Sequence, residues 1–278
     1  MLTTRILAAS LAVGLFPPLA SADCNARDFL TLPLANDAAR PDFVEALEIA
    51  YPGVRVDAAL DSISVGGTEI PVGPDSERSM AQRITDGTIR DQFEIVYPLD
   101  FDLSLRREPW FDPGRVRNDT MFRALYGATE RQVAASLTRA EYRGLTASTR
   151  FAASSRFCVT QQLQAALDAI AAEGPHMDVF FKNVGGSFNW RVIAGTDRLS
   201  AHSFGIAVDF NTRLGGYWRW DNQIEGQVGD YANVYPQELV QHMERFGFIW
   251  GGKWHHYDGM HFEYRPELIL HSRLRAMR

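Results

Sequence analysis

Residues 200–211 constrain this chain more than any other stretch. They read Ser-Ala-His-Ser-Phe-Gly-Ile-Ala-Val-Asp-Phe-Asn and carry a histidine and a carboxylate, His202 and Asp209. The apolar residues before and after Asp209 alternate, which predicts a β-strand. Because successive strand side chains point to opposite faces, Asp209 shares its face with the small residues Gly205 and Ala207. The sequence therefore predicts an acid on an uncrowded strand face, with a histidine at the strand's entry and room for a metal ion and a substrate.

A second motif, at residues 258–264, supplies the groups that the first one lacks. It reads Asp-Gly-Met-His-Phe-Glu-Tyr, and alternation places His261 and Glu263 on one face of a strand. Two histidines and one aspartate form a ligand set for catalytic zinc, which keeps a position open for water. Asp258 lies close enough in sequence to take a proton from that water and later return one to a leaving amine. Glu263 is predicted to orient a ligand histidine.

Other interpretations of these residues stay open at the level of sequence. A histidine and an aspartate on one strand often form a structural hydrogen bond or a surface pair. His255 and His256, in a loop rich in Gly and Trp, are rival ligands. A cysteine-based zinc site is excluded, because the chain has only two cysteines. The remaining histidines lack a partner motif and are predicted to have no role in the site: His176, His242 and His271.

The N-terminus has the three-part pattern of a secretory signal. Arg5 gives a short positive region, residues 6–16 are apolar, and Ala20-Ser21-Ala22 fits a cleavage site. The apolar run is too short to span a bilayer, and no later stretch reaches that length. We therefore expect an exported protein, periplasmic or extracellular, that is cleaved after Ala22 and has no membrane span.

Export bears on the two cysteines, Cys24 and Cys158. An oxidising compartment favours a disulfide between them, which would tie the mature N-terminus to the start of a helix. The alternative is two free buried thiols.

Composition bounds the remaining possibilities. The chain has 278 residues, of which 46% are hydrophobic and 22% charged, so it can bury a substantial core. Its net charge is −6 and it has no block of Lys or Arg, which argues against a nucleic-acid partner.

The order of predicted elements favours an α+β fold, a small antiparallel sheet with flanking helices. Helices are predicted at residues 43–50, 129–142, 158–172 and 236–246. Strands are predicted at residues 54–56, 62–65, 68–72, 91–97, 188–193, 205–211 and 260–264. Residues 212–235, between the strand at 205–211 and the helix at 236–246, are expected to form a loop that contains aromatic residues and glycines. Its Tyr217, Trp218 and Trp220 would either line a cleft or be buried in the core.

Taken together, the two motifs resemble the M15 family of zinc D-Ala-D-Ala carboxypeptidases and L-Ala-D-Glu endopeptidases. The pattern is Ser-x-His-x-x-Gly-x-Ala-x-Asp from Ser200, followed by Asp-x-x-His-Phe-Glu from Asp258. The run Trp-Gly-Gly-x-Trp from Trp250 resembles the endolysin-like branch of that family. The resemblance covers roughly residues 155–268, whereas residues 23–150 find no counterpart.

The resemblance implies a Hedgehog/DD-peptidase-like fold and a set of roles for individual residues. His202, Asp209 and His261 match the ligands of Zn²⁺, and Asp258 matches the catalytic acid/base. Arg191 matches an arginine that holds substrate or stabilises the oxyanion, which a fixed guanidinium can do. Ser200 would bond near the ligand shell.

The resulting expectation is an exported zinc metallopeptidase that acts on peptidoglycan stem peptides. Its parts would be a signal peptide (residues 1–22), an N-terminal accessory region (23–150) and a catalytic domain (151–278). One alternative is a non-catalytic zinc-containing module that binds cell wall on the same fold. Another is that residues 23–150 carry the main function by binding a partner.

Overall fold

The structure, a computed structural model, describes residues 24–35, 37–75, 77–193 and 196–278. The predicted signal peptide lies outside the described residues. Helices and small antiparallel sheets share the chain, which confirms the predicted α+β class. Across the described ranges, no helix is long and apolar enough to cross a membrane.

The helical segments are α-helices and short 3₁₀ turns. The α-helices are α1 (Asp42–Ala50), α2 (Met80–Thr85), α3 (Asp119–Tyr126), α4 (Glu130–Ala134), α5 (Val159–Ala172), α6 (Thr212–Gly215), α7 (Gln237–Arg245) and α8 (Pro266–Ala276). The 3₁₀ turns are Arg90–Phe93, Leu105–Arg107, Arg156–Cys158, Pro175–Phe181, Ala201–Phe204 and Gly251–Lys253. Helix α5, predicted at residues 158–172, has an apolar stripe that is fully buried: Val159, Leu163, Ala166, Leu167 and Ile170.

The strands form three antiparallel sheets. The first contains β1 (Arg55–Val56), β2 (Ser62–Val65) and β3 (Thr68–Pro71), which confirm the strands predicted at residues 54–56, 62–65 and 68–72. The second pairs β4 (Leu137–Arg143) with β5 (Ser148–Ser154). The third has the order β6-β7-β9-β8 and contains β6 (Val184–Gly186), β7 (Ala207–Asn211), β8 (Phe248–Trp250) and β9 (His261–Tyr264).

The register of the third sheet sets the two sequence motifs against each other. In the antiparallel pair of β7 and β9, Asp209 lies directly opposite His261 and Ala207 opposite Glu263. On the other side of β7, Gly186 pairs with Asp209. A β-carbon at the neighbouring Gly185 would lie 2.7 Å from the Asp209 β-carbon, so glycine is needed for β6 to pass this close.

Residues before and after position 150 pack into one hydrophobic core. Helix α1 packs on the C-terminal α8, and residue 150 itself lies inside β5. A buried polar cluster also joins the two parts. Lys253 Nζ donates to Pro98 O at 2.7 Å and to Glu244 Oε1 at 2.6 Å, while the Tyr97 hydroxyl donates to the same carboxylate.

Two predicted elements have a different conformation in the structure. Residues 91–97 do not form a strand, because Asp91 Oδ2 accepts from Thr88 N and Oγ1 and thereby closes the turn that starts the Arg90–Phe93 3₁₀ helix. The helix predicted at residues 129–142 ends at Ala134, and its second half is strand β4.

The physical reason for the second difference is long-range pairing. In β4, Ala140 and Tyr142 are fully buried while Arg139 and Arg143 are exposed, a period of two that pairing with β5 selects. The predicted strand at residues 188–193 is also absent, and only Val192 makes an isolated bridge, to Leu199.

The predicted disulfide is present between Cys24 and Cys158, across a sequence separation of 134 residues. It holds the start of the described chain against the turn before α5. A loop of this length loses much configurational entropy in the unfolded chain when it is closed.

We therefore expect that replacing both cysteines with serine lowers the free energy of unfolding by about 2–5 kcal/mol. Urea denaturation of oxidised mature protein and of the double variant measures this difference. Reductant should lower the midpoint of the wild type and leave that of the double variant unchanged. Equal midpoints for the two oxidised proteins would contradict the prediction.

Candidate metal centre

His202 is positioned by a tight turn at the entry to β7. It lies in the Ala201–Phe204 3₁₀ turn, and Ser200 Oγ caps this turn by accepting from His202 N at 3.4 Å. The turn ends at Gly205, whose φ of +66° favours glycine, and a β-carbon there would lie 2.6 Å from Leu137 Cδ2. Ser200, predicted near the ligand shell, thus shapes the backbone that presents His202.

The three residues predicted to bind zinc lie together at the third sheet. One donor atom from each of His202, Asp209 and His261 lies within 4.8 Å of the others. Asp209 Oδ1 is 3.2 Å from His202 Nε2 and 2.9 Å from His261 Nδ1, and the two ring nitrogens are 3.3 Å apart. The histidine side chains are almost fully buried, and that of Asp209 is 21% exposed.

The outer nitrogens of the two rings determine what the inner ones offer. His202 Nδ1 contacts the Ser187 carbonyl oxygen, and His261 Nε2 lies 3.4 Å from Glu263 Oε2. A carbonyl and a carboxylate only accept hydrogen bonds, so each outer nitrogen must carry the proton. In the neutral rings, both inner nitrogens then direct lone pairs at the carboxylate of Asp209.

This donor set fits a divalent cation. Three electron pairs converge with no hydrogen between them, an arrangement that a positive ion stabilises. When no metal ion is bound, a proton on the His261 ring is favoured beside the same carboxylate. Burial opposes charging His261, but hydrogen bonds to Asp209 and Glu263 outweigh it and raise its pKa to about 9. Burial alone would raise the pKa of Asp209, but the charges and hydrogen bonds of the two histidines hold it well below its usual range.

The rival histidines are used elsewhere in the structure. His255 Nε2 accepts from Val228 N at 3.1 Å, and its Nδ1 lies 3.0 Å from Arg106 O. His256 Nε2 accepts from Gly226 N at 2.8 Å, while its Nδ1 lies 2.6 Å from Asp112 Oδ2. Both rings therefore hold the 212–235 loop in place and have no lone pair left for a metal.

The other histidines lie outside the cluster. His242 contacts Glu173 at 2.7 Å, and His176 is exposed in the Pro175–Phe181 turn. His271 packs edge-on against Phe93, and burial lowers its pKa to about 4.

Asp258 lies in the loop that leads into β9. Its backbone N donates to Gly251 O at 3.0 Å, and it bridges to Tyr217. Its Oδ1 is buried and has no hydrogen-bond partner. Burial raises the pKa of Asp258 to about 6, with Asp209 adding to the rise and His261 and Arg115 opposing it. A carboxyl group with this pKa can both take up and release a proton near neutral pH.

Arg191 is exposed, and its backbone is fixed from both sides. Arg191 N donates to Ser203 Oγ at 3.0 Å, and Ser200 N donates to Arg191 O at 3.0 Å. These bonds place it beside the His202 turn. Among the contacts of the described residues, its guanidinium makes no hydrogen bond or ion pair, so it stays available to a ligand.

The aromatic residues of the 212–235 loop divide between the two predicted roles. Trp218 is buried against His256, Trp220 is 62% exposed, and Tyr217 is half-buried beside Asp258. Tyr217 therefore borders the site. Trp218 belongs to a second, smaller hydrophobic cluster together with Val228 and Tyr257.

The structure adds one arginine to the site that sequence reasoning missed. Arg117 Nε donates to Glu263 Oε1 at 2.8 Å and to Oε2 at 3.0 Å, and its Nη2 donates to Oε2 as well. The only sequence signal is its position before Asn118, which caps α3, and that signal says nothing about its partner.

The unpaired carboxyl of Asp258 has a consequence for stability in metal-free protein. Because its folded-state pKa of about 6 exceeds the unfolded value, the ionised form destabilises the fold above pH 6, and this penalty fades as pH falls towards 4. We expect Asp258→Asn to raise the free energy of unfolding by about 1–2 kcal/mol at pH 8, after allowance for solvent screening.

Urea denaturation of metal-free wild type and variant at pH 8 and pH 4 checks this prediction. The gain should shrink at pH 4. Asp197→Asn, at an exposed carboxylate, is the control and should change stability by less than about 0.5 kcal/mol at either pH. A destabilised Asp258→Asn variant at pH 8 would refute the argument.

Comparison with known proteins gives one match. Residues 194–264 match the family model Peptidase_M15_4, described as D-alanyl-D-alanine carboxypeptidase, and this segment contains both motifs. No curated protein and no solved structure matches the chain. The resemblance to the M15 family inferred from the two motifs is thus confirmed over residues 194–264.

Proposed function

We propose that this protein is an exported zinc metallopeptidase that hydrolyses peptide bonds in the stem peptides of peptidoglycan. The observation that carries the proposal is the convergence of His202, Asp209 and His261 near Asp258, whose buried Oδ1 has no hydrogen-bond partner among the described residues. The family match supports a peptidase, and the disulfide is consistent with an oxidising compartment.

Each residue has a role that follows from its surroundings. His202, Asp209 and His261 would hold the ion, with the outer nitrogens of both rings fixed by Ser187 and Glu263. A zinc ion bound there would supply Lewis acidity towards a carbonyl oxygen and lower the pKa of water.

Asp258 handles the protons of the reaction. Its Oδ1 would accept one proton from the attacking water and later donate it to the nitrogen of the departing amine. The proton carried by Asp258 is thereby returned when the peptide C–N bond breaks. Arg191, whose guanidinium makes no contact with the other described residues and whose backbone is held beside the His202 turn, would bind negative charge on the substrate or on the carbonyl oxygen in the transition state.

Two bonds in a stem peptide are candidates, the D-Ala-D-Ala bond and the L-Ala-D-Glu bond. The family description favours the first, and the resemblance of the Gly-rich run before Asp258 to the endolysin-like branch favours the second. Cleavage of the first releases free D-Ala, whereas cleavage of the second separates L-Ala from the rest of the peptide, so product masses distinguish them.

We expect the mature, zinc-loaded protein to cleave a defined muropeptide and to lose this activity on chelation. Asp258→Ala should lower kcat by about 10²–10⁴-fold without changing zinc content, because it removes only the proton carrier. His202→Ala should lose zinc and activity together. Mass spectrometry of the products and metal analysis of each variant provide the measurements.

Glu225→Gln, at an exposed carboxylate in the 212–235 loop, is the matched control and should keep wild-type activity. Zinc-loaded wild type that leaves every stem peptide intact would reject the proposal. It would favour the alternative of a zinc-containing module that binds cell wall without cleaving it, and a pull-down on purified sacculi would then identify that activity.

A further inference from the structure

Residues 106–118, here called the strap, come from the N-terminal part of the chain but lie against the loop that carries Asp258. The contacts are mostly hydrogen bonds between strap and loop. Trp254 Nε1 donates to Pro113 O at 2.6 Å, and His255 N donates to Phe111 O at 2.7 Å. The strap therefore packs directly against the loop that precedes β9.

Arg117, near the end of the strap, faces β9. Its guanidinium engages both oxygens of Glu263, at 2.8 Å and 3.0 Å from Nε and through a further contact of Nη2. The Glu263 side chain is fully buried and that of Arg117 is 11% exposed. Such a fork-shaped pair fixes the plane of the carboxylate as well as its charge.

Among the described residues, Arg117 is the cation that lies nearest to the Glu263 carboxylate. Arg265 also reaches Glu263, but at 3.3 Å, and it is shared with Glu267 and with Gly114 O.

The carboxylate held in this way faces a predicted metal ligand. Glu263 Oε2 lies 3.4 Å from His261 Nε2 and accepts a hydrogen bond from it. With the ring proton on Nε2, Nδ1 directs its lone pair towards Asp209. A Glu263 side chain that turned away would release this choice of tautomer.

We propose that Arg117 is a positioning residue of the metal centre, which acts by fixing Glu263 against His261. Residues 23–150 thereby contribute a part of the site itself. This inference rests on the proposed zinc site, but it concerns metal affinity and does not depend on which peptide bond is cut.

The test measures zinc affinity by competition with a chromophoric chelator, on full-length mature protein freed of metal. Arg117→Met should weaken zinc binding by about 10–100-fold, the range typical for partners of metal-bound histidines. Arg117→Lys, which keeps the charge but loses the fork, should fall between wild type and Arg117→Met. Arg123→Met, at a half-exposed arginine on α3 paired with Asp119, is the matched control and should bind zinc like wild type.

A double-variant cycle tests the route through Glu263. If Arg117 acts through Glu263, then adding Arg117→Met to Glu263→Gln should weaken zinc binding by much less than Arg117→Met does alone. Thermal unfolding of each metal-free variant separates this effect from general loss of stability. Unchanged zinc affinity in Arg117→Met, with only a lower unfolding temperature, would overturn the proposal, as would full additivity in the cycle.

The outcomes keep this inference apart from the proposed function. If the wild type binds zinc tightly but cleaves no stem peptide, the proposed function is rejected. The zinc affinities of the Arg117 variants still decide whether Arg117 is a positioning residue. Wild type that binds no zinc would reject the role of Arg117. If Arg117→Met does not fold, the affinity of Arg117→Lys decides, and a value equal to wild type would count against the proposal.

Discussion

The metal centre depends on the antiparallel pairing of β7 with β9. This pairing sets Asp209 opposite His261, and it does so only in one register. A slip by one residue would turn every side chain of one strand to the other face and move His261 into the core. The apolar residues on the reverse face, Val208 and Phe262, are buried and therefore hold the register that the site requires.

Local patterns were sufficient to predict the three residues that the structure brings together at the candidate metal centre, but not the groups around them. His202, Asp209 and His261 follow from residue type and strand alternation, which act within a few positions. Arg117 lies 146 positions from Glu263, in a segment with no periodicity, so no local pattern could indicate the contact. The conversion of a predicted helix into β4 has the same origin, since pairing with β5 outweighs the helical preference of the sequence.

Buried charges beside the site are arranged as a balanced chain. Arg117 and Arg265 alternate with Glu263 and Glu267, and the Tyr51 hydroxyl at the end of α1 donates to Glu267 at 2.6 Å. Such a chain costs desolvation energy and adds little net stability compared with apolar residues. What it provides is orientation, because each carboxylate is held by a partner with a defined geometry. The position of His261 thus depends on residues from α1, the strap, β9 and α8.

The strap has a consequence for how this protein can be divided. The segment that matches the peptidase family supplies His202, Asp209 and His261 but not the guanidinium that faces Glu263. A chimera that joined this segment to an unrelated N-terminal part would bury a carboxylate without its cation, unless the new part also brought an arginine to that spot. The sequence unit defined by similarity is therefore smaller than the unit that can be moved between proteins.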